Sequence, residues 1–442
     1  MLYAYAVLAT LTAFVGTAHA DSIYCNATNS CPEDAPCCNQ FGECGTGSYC
    51  LGGCHPLYSY DIDACMPMPV CKNISTTFDD KDSIMSVNHY LGDPDDADWV
   101  YSGYLEDYND ANLLAMPNHT SGTVVSSTRF LWYGKVTSTF KTSRGNGVIS
   151  AFILFSNAQD EIDWEFVGYN LTAAESNYYY QAVLNYTNVE TIGTTDTFAN
   201  YHTYEVDWKE DELKWSLDGE VVRTIKKEDT WNDTTESYHY PQTPSRVQFS
   251  LWPAGDSNSI GTMEWAGGQV DWDSEDIKDY GYYYFILKNA SIECYDPPSG
   301  TLINGDNAYV FNSSSNFDQD AVMITDNSTV LCDSDSTGLD NDEDECDASS
   351  STESDSSSDS DTSTTTKSKT STKTTSGDDE STTTTSRKKS SKSTSTVNSA
   401  QVTQFFQNSE QTTTGSTNLA LAVSAAPILS IVTIFLSLIF CV

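Results

Sequence analysis

The fold of this chain is decided by residues 160–166, which read Asp-Glu-Ile-Asp-Trp-Glu-Phe. From residue 161 onward, acids alternate with bulky apolar residues. Because successive side chains of a β-strand point to opposite faces, Glu161, Asp163 and Glu165 share one face and the apolar residues share the other. The stretch therefore predicts a strand with a core on one side and a row of carboxylates on the other.

Three carboxylates on one strand face repel one another, and a purely structural sheet has no reason to keep them. Cleavage of a glycosidic bond does need them, because one ionised and one protonated carboxyl group must flank the bond. The α-carbons of Glu161 and Glu165 lie ~13 Å apart in an extended strand. Side chains that lean towards each other could bring the carboxyls to the ~5–5.5 Å spacing of a retaining glycosidase. An exposed acidic strand is the alternative interpretation.

Period-two alternation returns throughout the part of the chain from residue 72 to residue 298. Residues 148–155 are an apolar run just before the acidic stretch, and apolar residues alternate with polar ones over residues 204–208 and 213–217. An Asp-Gly turn at residues 218–219 follows, which is a hairpin signal. Long amphipathic helical patterns are hard to find. The sequence therefore predicts an all-β sandwich.

The two ends of the chain are apolar. Residues 2–15 precede the small-residue sequence Ala-His-Ala at residues 18–20, which predicts a secretory signal peptide over residues 1–20. Residues 415–442 begin with small residues and finish in an apolar run, which indicates a signal for GPI-anchor attachment at Gly415. A tail-anchored transmembrane helix is the alternative, but no basic stop-transfer residues follow the run. We expect a secreted protein held at the outer face of the plasma membrane.

Acids dominate the charge balance, with 63 Asp and Glu against 21 Lys and Arg. A chain this acidic, without a basic patch, is a poor partner for nucleic acid. From about residue 333 to residue 399 the chain is mostly Ser, Thr and acids with scattered Lys and almost no apolar residue, a composition that cannot bury enough surface to fold and that begins the segment 333–414. We predict a disordered stalk there, preceded by a short extension over residues 299–332.

The cysteines indicate an oxidising compartment. Of the 13 cysteines, Cys441 would leave with the C-terminal signal, and the remaining twelve can all pair. Nine lie between Cys25 and Cys71, a density that predicts a small disulfide-rich module over residues 21–71. N-glycosylation is expected at the sequons that begin at Asn26, Asn73, Asn118, Asn170, Asn185, Asn232, Asn289, Asn312 and Asn327.

Several motifs together resemble glycoside hydrolase family 16. They are the Glu-X-Asp-X-Glu strand, His-Thr-Tyr-Glu-Val-Asp-Trp at residues 202–208, Ser-Leu-Trp-Pro-Ala-Gly at 250–255 and Gly-Thr-Met-Glu-Trp-Ala-Gly-Gly at 261–268. Within that family they are similar to the Crh family of fungal cell-wall transglycosidases, which shares the layout of signal peptide, stalk and lipid anchor. The resemblance covers residues 72–298. It implies a curved, concanavalin-like β-jelly roll with the acidic strand on its concave face.

The resemblance also implies roles for the acidic strand. Glu161 would be the nucleophile and Glu165 the general acid and then the base. Asp163 would hold and tune the nucleophile, since adjacent like charges push carboxyl pKa values apart.

Strand parity adds candidate substrate contacts beside Glu165. Gln248 and Trp252 share one face of a strand, so Gln248 is expected to hydrogen-bond a sugar and Trp252 to stack on one. Thr262 is placed on a similar strand by its alternation with apolar neighbours. Ordinary core packing is the alternative for Trp252.

The cysteine module is similar to hevein-type chitin-binding modules of family 18 through residues 37–50. That resemblance implies sugar rings stacked on Phe41 and Tyr49, with Asn39 as a polar contact, whereas Glu43 stands where a second aromatic residue is usual. A disulfide-rich cap on the catalytic domain is the alternative. The resemblance also implies the pairs Cys25–Cys38, Cys31–Cys44 and Cys37–Cys50. Partners stay open for Cys54, Cys65, Cys71, Cys294, Cys332 and Cys346.

Together these resemblances imply an extracellular retaining transglycosidase that cleaves chitin and transfers it to β-glucan or chitin, which would crosslink the fungal cell wall. We expect a monomer whose partners are chitin and β-glucan, with no cofactor and no metal. Hydrolysis by an endo-β-glucanase or chitinase is the alternative of the same enzyme class. A non-catalytic wall lectin is the alternative of another class, and the intact row of acids argues against it.

Overall fold

The computed structural model describes residues 22–340. The predicted signal peptide, residues 341–414 of the predicted stalk, and Gly415 with the C-terminal signal lie outside the described residues. No helix within the described range is long and apolar enough to cross a membrane.

The described chain is built mainly from β-strands. In chain order they are β1 (Cys37–Cys38), β2 (Cys44–Gly45), β3 (Met68–Pro69), β4 (Ile74–Thr77), β5 (Met85–Ser86), β6 (Trp99–Ser102), β7 (Tyr104–Tyr108), β8 (Ala111–Pro117), β9 (Thr123–Ser127), β10 (Gly134–Lys141), β11 (Ile149–Ser156), β12 (Glu161–Val167), β13 (Ala173–Tyr179), β14 (Glu190–Gly193), β15 (His202–Trp208), β16 (Glu212–Leu217), β17 (Glu220–Lys226), β18 (Trp231–Asn232), β19 (Ser237–Tyr238), β20 (Ser245–Trp252), β21 (Tyr282–Cys294), β22 (Leu302–Asn304), β23 (Ala308–Phe311) and β24 (Val322–Thr325).

Helices are short in this part of the chain. The α-helices are α1 (Ile260–Trp265) and α2 (Glu275–Tyr280). Single turns of 3-10 helix lie at Gly47–Cys50, Ile62–Ala64, Lys81–Ser83, Tyr186–Asn188, Lys227–Thr230, Ala254–Asp256, Gln319–Ala321 and Gly338–Asp340. The predicted all-β class is confirmed.

Two large sheets pack against each other as the predicted sandwich. The first runs β17-β16-β15-β10-β21-β8-β7, with β4 paired to β21, and the second runs β14-β13-β12-β11-β20-β9-β6-β5. Within these two sheets, pairing is antiparallel except between β5 and β6. One hydrophobic core contains buried residues of both sheets. The acidic strand β12 lies inside the second sheet, flanked on both sides.

Two tryptophans fix β12 to the opposite sheet. The Nε1–H of Trp215 donates to the backbone oxygen of Asp163 at 2.9 Å, and the Nε1–H of Trp164 donates to the backbone oxygen of Glu205 at 3.3 Å. Both indoles are fully buried. Burial of a large apolar side chain contributes roughly 3 kcal/mol, and the paired N–H groups avoid the cost of an unsatisfied buried donor. The backbone that carries the acids of β12 is therefore held firmly against the opposite sheet.

The N-terminal module carries four disulfide bonds of its own. Cys25–Cys38, Cys31–Cys44 and Cys37–Cys50 are the three pairs that the hevein-type resemblance implied, and Cys54–Cys65 is the fourth. Within residues 22–340, the one close group of metal-type ligands is Cys25, Cys31 and Cys38, whose sulfurs are used in these bonds. Cys71 pairs with Cys294 at the end of β21, and Cys332 is also disulfide-bonded.

The C-terminal extension packs against the module. It forms a small sheet in the order β22-β24-β23-β3, so it incorporates the strand that ends the module. Leu331 lies in the module's own apolar core, and the backbone N–H of Gly47 donates to Ser336 at 2.8 Å. The predicted start of the stalk at residue 333 is therefore wrong. Ser336 and Thr337 are buried, and the packed chain continues to residue 340, because backbone contacts to the module replace the missing apolar side chains.

Candidate active site

The three acids of β12 form a row on the face of the second sheet that points away from the core. Across the strand pairings, Glu161 lies opposite Phe155 and Tyr179, Asp163 opposite Ile153 and Asn177, and Glu165 opposite Ala151 and Glu175. β20 continues the same face with Gln248, Ser250 and Trp252. The predicted alternation of β12 is confirmed, because Ile162, Trp164 and Phe166 all lie in the core.

The acids differ in burial and in proton affinity. Glu161 is half-buried, Glu165 is 5% exposed and Asp163 is fully buried. Burial raises the pKa of Glu161 to about 7, and its interaction with Asp163 opposes this shift. Burial, followed by the charges of Glu161 and Glu165, raises the pKa of Asp163 well above its ordinary value.

These pKa shifts determine which carboxyl groups of β12 carry a proton. Burial and the two neighbouring carboxylates raise the pKa of Asp163 well above its ordinary value, which favours a protonated Asp163 beside a charged Glu161. A neutral Asp163 can donate its O–H to the Glu161 carboxylate and so favours the charged form of Glu161. Neighbouring carboxyl groups that differ in protonation state are typical of sites that carry out acid–base chemistry.

The raised pKa of Glu161 predicts a pH-dependent cost to stability. The folded protein holds this proton more tightly than the unfolded chain, so stability falls as pH rises from about 4.5 to about 7. Glu161→Gln removes the penalty. We expect the variant to be more stable than the parent by on the order of 2 kcal/mol above pH ~7.5, with little difference near pH ~4. Thermal unfolding of both proteins at the two pH values measures this, and an equal difference at both would contradict the raised pKa.

The acids line a pocket together with aromatic and amide side chains. Its walls include Glu161, Glu165, Tyr179, Gln248 and Trp252. The predicted parity of β20 is confirmed, because Gln248 and Trp252 reach the pocket while residues 247, 249 and 251 lie in the core. Trp252 also packs on Trp265, with ring centroids 6.4 Å apart, so it is both a pocket wall and a packed residue.

The strand prediction for Thr262 is wrong. Thr262 lies in helix α1, where its N–H donates to the capping Ser259 side chain at 3.3 Å and its carbonyl accepts from Ala266 at 3.0 Å. It is not among the residues that line the pocket with the acids. Four residues of alternating polarity are too few to separate a strand from a single helical turn, and the cap at Ser259 decides for the helix.

Sequence reasoning missed the contribution of β13. Tyr179 stands beside Glu161, and burial, followed by the charges of the three acids, raises its pKa. Its hydroxyl accepts from the Asn177 amide at 2.7 Å. Opposite Glu165, the carboxylate of Glu175 accepts from the Nε1–H of Trp265 at 2.8 Å. The available signal was the alternation of residues 175, 177 and 179 directly after the acidic strand.

Asp160, the first residue of the decisive stretch, holds the loops at one end of the pocket. Its buried carboxylate accepts from the backbone of Gln181 at 3.0 Å and from the backbone and hydroxyl of Thr243 at 3.0 and 2.6 Å. Burial raises its pKa to about 6, and these hydrogen bonds oppose the shift. Gln159, Gln181 and Ala182 have φ angles of 65°, 44° and 57°, a conformation that costs non-glycine residues energy. The Asp160 hydrogen bonds help to hold this strained backbone at the pocket rim.

The N-terminal module completes the pocket. Gln40 and Phe41 line it beside the acids, and the Gln248 Nε2 donates to the Gln40 Oε1 at 2.8 Å. The Asn39 Oδ1 accepts from the backbone N–H groups of Phe41 and Glu43 and so shapes this loop, and the predicted contact of Asn39 with sugar stays a prediction. Nothing in the sequence pattern predicted that the module meets the acidic strand's pocket.

Comparison with known proteins identifies the family of this chain. The profile of the family described as "Glycosyl hydrolases family 16" matches residues 93–273. The chain is 52% identical over 348 residues to "Crh-like protein UTR2" of Candida albicans, covering 76% of this chain and 74% of the relative. It is 53% identical over 321 residues to "Congo red hypersensitive protein 2" of Saccharomyces cerevisiae, covering 72% and 69%. A solved structure described as "Apo Crh5 transglycosylase" is similar at 25% identity with a TM-score of 0.49, covering 61% of this chain and 100% of that chain.

Proposed function

This chain belongs to the Crh-like proteins and carries a glycosyl hydrolase family 16 domain, and from that membership we propose that it cleaves chitin and transfers the released chain to β-glucan or chitin. It is an enzyme that acts on glycosidic bonds. The observation that carries the proposal is the pocket that holds Glu161 and Glu165 beside a buried Asp163 with a raised pKa.

Glu161 and Glu165 divide the first half of the reaction. The ionised Glu161 attacks the anomeric carbon of the donor sugar while the bond from that carbon to the leaving oxygen breaks. Glu165 gives its proton to the leaving oxygen. The products of this step are a glycosyl ester on Glu161, an ionised Glu165 and a released sugar chain.

The second half reverses these roles. The Glu165 carboxylate takes a proton from an acceptor hydroxyl, whose oxygen attacks the anomeric carbon. The ester bond breaks, and Glu161 returns to its ionised form. Two displacements at one carbon retain its configuration. Asp163 assists both halves by holding its proton next to Glu161, which stabilises the carboxylate as a leaving group.

The molecule that attacks the glycosyl ester in the second half decides whether the reaction is transfer or hydrolysis. A sugar hydroxyl gives a transglycosidase, and water gives an endo-β-glucanase or chitinase by the same steps. A closed pocket favours transfer, because a bound acceptor then excludes water from the glycosyl ester. Gln40 and Phe41 narrow the pocket from the module side, which supports transfer over hydrolysis.

The test of this function combines a donor with a labelled acceptor. The secreted protein is incubated with a chitin oligosaccharide and a fluorescent laminari-oligosaccharide, and the labelled products are separated by size. Larger labelled products are expected. Shortened chitin oligosaccharides without labelled products would mean hydrolysis, and no change of either sugar would favour a lectin.

We also propose that the protein reaches the cell wall and stays at the outer face of the plasma membrane through a GPI anchor. An enzyme that acts on large, fixed polymers benefits from a tether on an extended polar stalk. The nine sequon asparagines are all exposed or half-buried in the structure, which supports glycosylation on the outside of the cell.

Truncation after Thr414 tests the anchor. Without the apolar tail, we expect active enzyme in the medium, whereas the intact chain is released from cells by a phospholipase that cuts lipid anchors. Immunoblotting of medium and cell fractions measures this. Equal cell retention of both forms would contradict the anchor.

A further inference from the structure

The sugar-binding face assigned to the N-terminal module by resemblance points towards the catalytic sheet. A second pocket lies between module residues that include Phe41 and Tyr49 and catalytic-sheet residues that include Val124, Ser126 and Arg246. Ser126 pairs with Gln248, so the floor of this second pocket continues the face that carries the acids. Phe41 and Gln40 line both pockets. The two pockets therefore share one wall.

Backbone contacts hold the module in this position. The N–H of Gly53 donates to the Asn157 side chain at 2.9 Å. Gly52 lies so close to Arg246 that an added Cβ would be 2.2 Å from its Nη1, a contact that no side chain tolerates. From the other side, Leu331 fills the module's apolar core. The contacts of Gly52 and Gly53 join the module to the catalytic domain, and Leu331 joins it to the C-terminal extension.

Among the described buried side chains of the shared face, Gln248 and Ser250 of β20 each leave a polar atom without a protein partner. Gln248 is 1% exposed and Ser250 is fully buried, yet Gln248 Oε1 and Ser250 Oγ have no hydrogen-bond partner among residues 22–340. Leaving a buried polar atom unpaired costs stability, and native proteins rarely do so without a function. Gln248 lines the pocket that holds the acids, and the hydroxyl groups of a sugar chain bound there can donate to an amide oxygen.

We propose that the β-linked sugar chain held at Glu161 and Glu165 continues under the module, and that Gln40 and Phe41 form a binding subsite together with Gln248. The inference rests on the proposed function, because it takes the bound chain to be a polysaccharide. Phe41 supplies a flat apolar surface for one ring. The hydrogen bond to Gln40 fixes the Gln248 amide, whose Oε1 has no protein partner within residues 22–340. The module is thus a part of the catalytic cleft and determines how much chain the cleft holds.

Direct binding to the full-length Glu161→Gln protein tests the subsite without turnover. Chito-oligosaccharides and laminari-oligosaccharides of increasing length are titrated by calorimetry, and the series that responds identifies the donor or the acceptor. We expect Phe41→Ala to weaken the longest members of one series about tenfold and the shortest binding members not at all. Gln40→Ala acts in the same direction, and Phe41→Tyr restores affinity because it keeps the ring.

Tyr60→Ala is the matched control, since Tyr60 is an aromatic residue of the same module that is 48% exposed and lies outside both pockets. Thermal unfolding shows that each variant is folded. Unchanged or tighter binding by both Phe41→Ala and Gln40→Ala overturns the inference while the transfer assay still stands. Loss of binding in these variants, together with a parent protein that transfers nothing, supports the subsite and overturns the proposed function instead.

Discussion

We expect Glu161→Gln and Glu165→Gln each to lower turnover at least ~10³-fold, because glutamine can neither form the glycosyl ester nor exchange a proton. The change is isosteric, and β12 is held from the opposite face by Trp215 and the buried Trp164. The fold should therefore survive. Turnover is measured as labelled transfer product per unit time, and circular dichroism confirms folding.

Two comparison variants make this expectation specific. Glu220→Gln alters an exposed glutamate of β17 in the opposite sheet and should leave turnover unchanged. Asp163→Asn should reduce turnover less than the other two acids do, because Asp163 tunes the pKa of Glu161 and does not touch the reacting carbon. Substantial activity in Glu161→Gln or Glu165→Gln would contradict the assigned roles.

Azide separates the roles of the two glutamates. In Glu161→Ala, the anion can take the vacated space and attack the anomeric carbon once, which inverts its configuration. In Glu165→Ala, the glycosyl ester still forms from a donor with a good leaving group, and azide then displaces it with net retention. Opposite configurations of the two glycosyl azides are the expected result, and the same configuration from both would mean that the roles are wrong.

Loss of the Cys71–Cys294 bond should destabilise the protein more than loss of any other described disulfide. It spans 223 residues, whereas Cys54–Cys65 spans 11. In the chain-entropy account, a cross-link stabilises by restricting the unfolded chain, and the effect grows with the logarithm of the loop. We expect Cys71→Ser with Cys294→Ser to cost about 5 kcal/mol, against about 3 kcal/mol for the short loop.

Denaturant unfolding of the two double-serine variants compares these costs. Cys54→Ser with Cys65→Ser is the matched control, since it also removes one bond and adds two hydroxyls. Equal losses, or a larger loss for the short loop, would show that strain or residual structure in the unfolded chain outweighs loop length.

The sequence predicted the geometry of the acidic strand better than that of its surroundings. The alternation in residues 161–166 is enough to predict which side chains share a face, because every second side chain of a β-strand points to the same face of the sheet. The same rule placed Gln248 and Trp252 correctly. The same rule was wrong at Thr262. The alternation there is short, and the side chain of Ser259 caps a helix that includes Thr262.

The sequence did not predict where the N-terminal module packs on the catalytic domain. Its contacts with the catalytic domain rely on the backbone of Gly52 and Gly53 and on one pair of amides, and none of these has a periodic or charged signature. The stalk boundary failed for a related reason. Residues 333–340 have the composition of a disordered segment, yet backbone hydrogen bonds and steric fit against the module hold them in place.

Leu331 in the core of the N-terminal module sets the order in which the protein matures. During synthesis the module is made first, but the side chain that completes its core follows about 260 residues after the module ends at Cys71. Its cysteines can oxidise early, whereas its apolar interior stays incomplete until the entire catalytic domain has been made. The first segment to be synthesised is therefore among the last to finish folding, and premature termination anywhere before residue 331 leaves the core of the module incomplete.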